Sequence, residues 1–357
     1  MQRAEADEKI KRRFAEELLH WNKKSNDRQM PWKGEKDPYK IWLSEIILQQ
    51  TRVEQGLKYY ENFIKSFPDV HTLAKAPQEK IFKHWEGLGY YSRCRNLIEA
   101  ASFISKELKG RFPSSYESIL ELKGVGSYTA SAIASFAYNL PYAVLDGNVF
   151  RVLARILDIE TPIDSTEGKK QFAQIAQSIL PGAKAGEYNQ AIMDFGAVIC
   201  KPVPQCSSCF FNQYCKAYLA GKQQLLPIKE KKTRIKQRWL NYIVVRSKNE
   251  VAVRQRTGKD IWQQLFEFVL IETDKPFTQK QLLKQFEKQF GITSYTLISG
   301  FEPTLQKLSH QSICFNFIVL KTAKKEKIGD FTWKPLSHLD QLAFPKTLKE
   351  FIEQHLK

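Results

Sequence analysis

Apolar and polar positions divide the chain into two parts with different periodicities. Up to about residue 220, apolar residues recur at the three- and four-residue spacing of amphipathic helices, and little alternates as strands do. After a basic stretch at residues 222–237, short apolar runs bounded by turn residues alternate with helical segments. We therefore predict an all-α region over residues 1–221 and an α+β domain over residues 238–357.

Capping signals place the first helices. Asp37 followed by Pro38 predicts an N-cap with proline in the first turn of a helix that reaches about Gln50. Ser114 and Glu117 have capping-box spacing and predict the start of a short helix. That helix is expected to end near Leu122.

A second helix is predicted directly after this short one. Ser127 is its candidate cap, and its apolar positions follow the i, i+3, i+4, i+7 pattern: Ala130, Ile133, Ala134 and Ala137. A further amphipathic helix is predicted roughly over residues 188–199, leading into a group of cysteines.

The pattern changes beyond the basic stretch. Residues 239–245 and 250–254 predict a β-hairpin around Lys248 and Asn249, and residues 313–320 predict a further strand. Helices are predicted over residues 278–290, where Gly291 ends the pattern, and over residues 346–355.

The boundary segment is strongly basic. It overlaps KEKKTRIKQR (residues 229–238), which has six basic residues and one acid. Such a run is usually a solvated linker, and it could also lie along DNA.

Composition narrows the class of protein. The formal net charge is +17, from 55 basic and 38 acidic residues, which suits a polyanionic partner. No apolar run approaches the ~18 residues of a membrane span, and the charged N-terminus lacks the apolar core of a signal peptide. We expect a cytoplasmic, nucleoid-associated protein without a membrane partner.

Four of the six cysteines form a compact motif, C-x5-C-x2-C-x5-C. The motif consists of Cys200, Cys206, Cys209 and Cys215. Four thiolates this close in the chain can surround one metal, and both zinc and a four-iron cluster use such sets. Its role should be structural, because four ligands leave no open position. Cys94 and Cys314 are expected to be ordinary buried thiols.

A glycine turn separates the two central helices. Gly124, Val125 and Gly126 let the backbone turn tightly and bring amide groups toward a phosphate. Alone, such a tripeptide is most often only a turn. Between two helices it resembles a helix-hairpin-helix, which contacts the DNA backbone without specifying sequence.

One acid lies on an apolar helix face. Glu45 falls at i+4 from Ile41 on a stripe completed by Trp42, Ile46 and Leu48. Desolvation there should raise the pKa of its carboxyl group, as a general acid near neutral pH requires. The alternative is a glutamate paired with an arginine or lysine inside the bundle.

A second acid lies in a turn about twenty residues after the hairpin. Asp146 is followed by Gly147 and Asn148 and then by a helix over residues 149–157. By itself it is a typical N-cap. With Glu45 it suggests glycoside cleavage by two carboxyl groups, one protonated and one ionised.

Together these features resemble the endonuclease III superfamily of DNA glycosylases, and within it the adenine DNA glycosylases of the MutY family. The resemblance covers nearly the whole chain. It rests on PYKIWLSEIILQQTRV, GLGYYSRCRNL, LKGVGSYTA, LDGNVFRVLAR, YNQAIMDFGA and the cysteine motif.

The resemblance implies a function and site residues. Members remove adenine mispaired with 8-oxoguanine. Glu45 matches the general acid that protonates adenine, and Asp146 matches the residue that stabilises the oxocarbenium ion. Tyr128 and Asn148 match residues that line this site.

Four further positions match residues around the extruded base and the duplex. Trp32 and Gln190 match positions around the flipped adenine, and Gln50 and Tyr90 match side chains that wedge into the duplex. Without the resemblance, Trp32 and Tyr90 are more often packed aromatics, and Gln50 is more often a surface residue.

The resemblance also implies a reaction type and a cofactor. Bifunctional relatives carry a lysine where this chain has Tyr128, so we expect a monofunctional glycosylase. Phe150 occupies the position at which some relatives have a lysine that can be cross-linked to DNA. The cysteine motif is expected to bind a [4Fe-4S] cluster, although relatives usually have six residues, not five, between the first two cysteines.

The C-terminal region resembles the family's Nudix-like domain, which recognises 8-oxoguanine. Leu308, Ser309 and His310 match a Phe-Ser-His loop, with leucine as a departure. Gln263 and Gln264 replace glycines of the family. The glutamates of a catalytic Nudix box are missing from the sequence, so we do not expect nucleotide hydrolysis.

The sequence therefore predicts a monomeric adenine DNA glycosylase that acts on duplex DNA with adenine opposite 8-oxoguanine or guanine. The alternatives are a bifunctional glycosylase and lyase on oxidised pyrimidines, and a non-catalytic module that binds lesions.

Overall fold

The computed structural model describes residues 2–230 and 235–357. Residues 231–234 of the basic segment lie outside the described residues. The described residues form two compact units, Met1–Lys75 with Asn96–Lys231 and Ala76–Arg95 with Lys232–Lys357. A segment from the first part of the chain thus belongs to the second unit. The boundaries proposed at residues 222 and 238 remain a prediction.

Helices account for the regular structure of residues 2–230, which contain no strand, so the predicted all-α class is confirmed. They are α1 (Gln2–Ser25), α2 (Pro38–Leu48), α3 (Val53–Ser66), α4 (Val70–Lys75), α5 (Gln78–Trp85), α6 (Ser92–Lys106), α7 (Tyr116–Leu120), α8 (Ser127–Tyr138), α9 (Gly147–Leu157), α10 (Thr166–Ile179), α11 (Ala185–Val198) and α12 (Lys216–Leu219). Short 3-10 turns occur at Gly182–Lys184 and Cys206–Ser208.

The helix starts agree only partly with the capping signals. Asp37 caps α2 by accepting the N–H of Tyr39, as predicted. The cap at Ser114 was wrong by one residue, because Ser115 accepts the N–H of Ser118. The cap at Ser127 was also wrong: extended Gly126 is the N-cap of α8, and no side chain caps it.

Four helices of the first unit carry the candidate site. Helix α2 packs on α8, and α11 packs on both α8 and α9. The approach of α11 to α9 depends on Gly196, where an added Cβ would lie 2.7 Å from the Cβ of Asn148. An apolar core packs beneath these helices and includes Phe14, Val152, Leu153, Phe172 and Phe195.

Residues 235–357 of the second unit form an eight-stranded sheet with two helices, which confirms the α+β class predicted for this part of the chain. Its strands are β1 (Lys236–Ser247), β2 (Glu250–Gln255), β3 (Phe266–Glu267), β4 (Val269–Thr273), β5 (Thr296–Gly300), β6 (Thr304–Lys307), β7 (Gln311–Lys321) and β8 (Thr332–Pro335). The helices after the first strands are α13 (Gln279–Phe290) and α14 (Lys346–His355). The predicted hairpin is present, with Lys248 at a φ of 52° in its turn.

The sheet is built around a long parallel pair. β1 runs parallel to β7 from Lys236 to Arg246, and the other strands pair with these two or with β2. Ile318 and Leu320 pack with α13, whereas Phe317 stacks on Phe351 of α14 at 4.1 Å. Because successive strand residues point to opposite faces, the two helices cover opposite sides of the sheet.

Helix α5 supplies part of the second unit's core. Ile81, Phe82 and Trp85 are buried. The next residue, Glu86, is 8% exposed, accepts the N–H of Phe344 at 2.9 Å, and lies 2.8 Å from the ammonium group of Lys349. The buried carboxylate of Glu86 therefore anchors the segment that carries α5 to residues 344–349 of the same unit.

We expect Glu86→Ala to lower the free energy of unfolding by about 1–3 kcal/mol, because the buried N–H of Phe344 loses its acceptor. Urea unfolding of the full chain measures this. Glu79→Ala, at an exposed position of the same helix, is the control. Equal stability of the two variants would refute the role of Glu86.

Candidate active site

A cavity of about 260 Å³ opens in the first unit. Three residues predicted for the site line it together: Trp32 from the loop before α2, Glu45 from α2 and Gln190 from α11. Trp32 is 9% exposed and packs edge-on against Tyr60, with the ring centres 5.4 Å apart. It is therefore both a packed aromatic and a wall of the cavity.

Glu45 is buried, with 7% of its surface exposed. Burial raises the pKa of its carboxyl group to about 7, opposed by a hydrogen bond from Tyr128 and reinforced by the negative charge of Asp146. No salt bridge from Glu45 to a lysine or arginine occurs within the described residues, so the paired alternative is not supported. The protonated form of Glu45 is therefore accessible near neutral pH.

Asp146 is the N-cap of α9, as its turn sequence predicted. One carboxylate oxygen accepts the N–H of Val149 at 2.8 Å, and the other accepts the Asn148 side-chain amide at 2.9 Å. Burial raises its pKa, while these donors and the charge of Arg151 act against that rise. Asp146 therefore has several groups that stabilise its ionised form.

Tyr128 connects the two acids. Its hydroxyl donates a hydrogen bond to Glu45, and burial together with the nearby charges of Glu45 and Asp146 raises the pKa of the phenol. The side chain also contacts the sulfur of Met193 at 4.0 Å. The phenol stays protonated and lies near both carboxyl groups.

Arg151 supports the turn, and the sequence reasoning missed it. Its guanidinium donates to the Asn148 side-chain oxygen at 2.8 Å, to the Gly196 carbonyl at 2.7 Å and to the Cys200 carbonyl at 2.8 Å. It thereby orients the amide that contacts Asp146. The i+3 spacing from Asn148 was the one available signal.

A second missed group lies beneath the cavity. Asp194, on α11, has a fully buried side chain. Asn26, Arg28, Lys33 and Gln190 all direct donors at it. Three of these come from a loop far away in the sequence, so spacing alone could not identify the cluster.

The glycine turn has the geometry of a hairpin between α7 and α8. Gly124 has a φ of 79°, and a Cβ there would lie 2.6 Å from Asn96. Val125 is buried and anchors the turn, whereas Gly126 is exposed at the start of α8. Exposed backbone N–H groups at a helix start are suited to an anion.

All four clustered cysteines line one small cavity, with Arg155 beside them. Arg155 is 2% exposed and donates to the carbonyls of Lys201 at 2.6 Å and Pro202 at 2.9 Å. The loop therefore closes despite its short first spacing. No set of three or more His, Cys, Asp or Glu side chains in residues 2–230 and 235–357 is arranged to hold a single metal ion.

The second unit contains a cavity of about 840 Å³ of its own. Tyr90, Leu308, Ser309 and His310 line it, and the hydroxyls of Tyr90 and Ser309 lie 2.9 Å apart. The three loop residues form the tight connection between β6 and β7. Positions predicted from two distant parts of the chain are thus brought together.

Three non-glycine residues near the predicted sites have left-handed backbones. Gln50 has a φ of 55° and is exposed, and Tyr90 has a φ of 46° and is 38% exposed. Gln264, where relatives carry glycine, has a φ of 75°. Such conformations cost free energy and concentrate at functional sites.

Helices long and apolar enough to cross a membrane do not occur among the described residues.

Family models match both parts of the chain. Residues 43–181 match the HhH-GPD superfamily of base excision DNA repair proteins, and residues 241–354 match the NUDIX domain.

Solved structures resemble the first part of the chain. A thermostable thymine-DNA glycosylase superposes with a TM-score of 0.55 at 29% identity, covering 60% of this chain and 99% of its own. An endonuclease III in a non-covalent DNA complex shares the fold, with a TM-score of 0.51 at 20% identity over 59% of this chain and 97% of its own.

Curated relatives include adenine DNA glycosylases. That of Buchnera aphidicola subsp. Baizongia pistaciae is 34% identical, with 95% of both chains covered. That of Buchnera aphidicola subsp. Acyrthosiphon pisum is 31% identical over 96% of this chain and 98% of its own. The human protein is 38% identical over 60% of this chain and 41% of its own. With this identity over nearly its full length, the chain belongs to the adenine DNA glycosylase family, whose members remove adenine in base excision repair.

Proposed function

We propose that this glycosylase removes adenine mispaired with 8-oxoguanine or guanine, by acid-assisted cleavage of the N-glycosidic bond of a flipped nucleotide. The observation that carries the proposal is the pair of unlike carboxyl groups. Glu45 has a pKa of about 7, whereas Asp146 is surrounded by donors. Unequal surroundings of two carboxyl groups in one site divide the roles of acid and stabilising anion.

Glu45 is the general acid in this mechanism. It lines the cavity between Trp32 and Gln190, which is where a flipped adenine would lie. Protonation of the adenine ring turns the base into a better leaving group. Tyr128 holds the carboxyl group in place through its hydroxyl.

Asp146 stays ionised and stabilises the positive charge that develops on the sugar. Asn148 and the N–H of Val149 fix the orientation of its two oxygens. The anion is therefore in place before the charge appears, which is how preorganised groups lower a barrier.

Water completes the reaction. A lyase would need an amine in the site, and the hairpin supplies the phenol of Tyr128 instead. This disfavours the bifunctional alternative. The raised pKa of Glu45 in turn disfavours a non-catalytic lesion-binding module, which has no need of such an acid.

The second unit recognises the lesion in this proposal. Ser309 and His310 offer polar groups in the large cavity, and Tyr90 shares its hydroxyl contact with Ser309. Tyr90 and Gln50, both in left-handed conformations, enter the duplex. Leu308 lies in the loop between β6 and β7, next to Ser309.

Duplex DNA is the partner, bound by a monomer. The hairpin of Gly124, Val125 and Gly126 contacts the backbone, and the net charge of +17 supports binding to a polyanion.

A [4Fe-4S] cluster is the proposed cofactor. Cys200, Cys206, Cys209 and Cys215 line one common cavity, and four cysteine thiolates are the ligand set that a [4Fe-4S] cluster uses. The cluster would supply cross-links that fix the loop after α11. Arg155 holds the loop's carbonyls from the protein side.

The reaction type can be tested with duplex that carries adenine opposite 8-oxoguanine. We expect free adenine and an abasic strand that breaks only after alkali, because no lysine occupies the position of Tyr128. Gel analysis before and after alkali distinguishes the products. Strand breaks without alkali would contradict a monofunctional reaction.

The acid can be tested by its pH dependence. Since the protonated form of Glu45 is the active one, single-turnover excision should fall as pH rises through about 7. Glu45→Gln should abolish this limb and slow excision by about 10²–10⁴-fold. Glu61→Gln, at an exposed position, is the control. A limb unchanged in Glu45→Gln would refute the assignment.

Lesion recognition can be tested by a double substitution. Ser309→Ala with His310→Ala should reduce the preference for 8-oxoguanine over guanine by about tenfold, the value of one good hydrogen bond. Basal excision opposite guanine should change little. Ser294→Ala with His338→Ala, two exposed positions of the same unit, is the matched control. Equal loss on both substrates would count against this assignment.

A further inference from the structure

Asp194 has no part in the reaction proposed above, yet it is the most heavily contacted carboxylate of the first unit's cavity region. Its side chain is completely buried. One carboxylate oxygen accepts Arg28 at 2.7 Å and Gln190 at 3.0 Å. The other accepts Asn26 at 2.9 Å and lies 3.1 Å from the ammonium group of Lys33. Two cations compensate the buried charge, as such a group requires.

This carboxylate determines which way the Gln190 side chain points. An ionised carboxylate only accepts hydrogen bonds, so the amide must present its NH2 group to Asp194. If the amide were flipped, the carbonyl oxygen of Gln190 would face a carboxylate oxygen of Asp194, and neither atom could donate a hydrogen bond. The carbonyl oxygen of Gln190 is therefore the atom left for the cavity that Gln190 lines.

An acceptor at this position distinguishes purines by their 6-substituent. Adenine carries a 6-amino group, which donates, whereas 6-oxopurines such as hypoxanthine and guanine present an acceptor there. A fixed acceptor oxygen therefore stabilises the 6-amino group of adenine and repels the 6-oxo group of hypoxanthine or guanine. Sites with buried, oriented polar groups discriminate strongly in this way.

We propose that Asp194 is a positioning residue that fixes the amide of Gln190 with its oxygen toward the base, so that the cavity accepts 6-aminopurines and rejects 6-oxopurines. This rests on the proposed function, since it needs the flipped base to lie against Gln190. Asp194 also holds Arg28 and Lys33, and thus both sides of the loop that carries Trp32.

Asp194→Asn is the informative change, because it keeps the shape and lets the amide of Gln190 turn over. The full-length variant is assayed under single-turnover conditions on duplexes with adenine, unsubstituted purine or hypoxanthine opposite 8-oxoguanine. We expect the adenine-to-purine rate ratio to fall about tenfold and the hypoxanthine-to-adenine ratio to rise. Asp194→Glu keeps an acceptor-only group and should retain the wild-type order.

Gln190→Met removes the amide and leaves Asp194 with its two cations. It should lower the adenine-to-purine ratio as Asp194→Asn does, and the double variant should show no further loss. Asp158→Asn, a partly buried carboxylate paired with Lys222 outside the cavity, is the matched control and should keep all ratios.

An equal loss on all three bases in Asp194→Asn would overturn the proposal, since a merely structural residue would act in that way. If the asparagine variant does not fold, Asp194→Ser provides the same comparison of the three rates. If the wild-type protein fails to release adenine from any of the duplexes, the proposed function itself fails. That outcome is distinct from a change in ratios.

Discussion

Two neighbouring buried carboxyl groups cannot both be ionised without a large cost in free energy. The candidate site depends on this constraint. Glu45 and Asp146 influence each other's charge, yet they have unequal surroundings. Asp146 begins a helix and takes a backbone N–H and an amide. Glu45 has the phenol of Tyr128. In our proposal the proton resides on Glu45, because Asp146 has more donors to stabilise its ionised form.

The surrounding fold preserves that inequality. Gly196 lets α11 approach the turn of Asn148, and Arg151 spans from that turn to two carbonyls of the following chain. A similar effect acts at the pocket for the base: in our proposal, the negative charge of Asp194 sets the direction of the neutral Gln190 amide. In both cases a charged group with a single hydrogen-bonding role orients an amide that can donate or accept: Arg151 only donates, and Asp194 only accepts.

Much of this could be predicted from local sequence. The apolar stripe around Glu45 identified a desolvated acid, and the turn at Asp146 identified an N-cap, because both effects act within a few residues. The caps at Ser114 and Ser127 failed, since adjacent serines and a glycine compete for one position and the extended residue wins. Asp194 could not be found, because most of its partners lie more than 160 residues away.

The membership of residues 76–95 in the second unit has a consequence for dissecting the chain. A fragment that starts after the basic segment would lack Ile81, Phe82 and Trp85, and would leave the N–H of Phe344 without the carboxylate of Glu86. Its interior would be open to water where α5 had been. Sequence order suggests two separable modules, but the second is assembled from two stretches of chain. Grafting it onto a relative would require transplanting both.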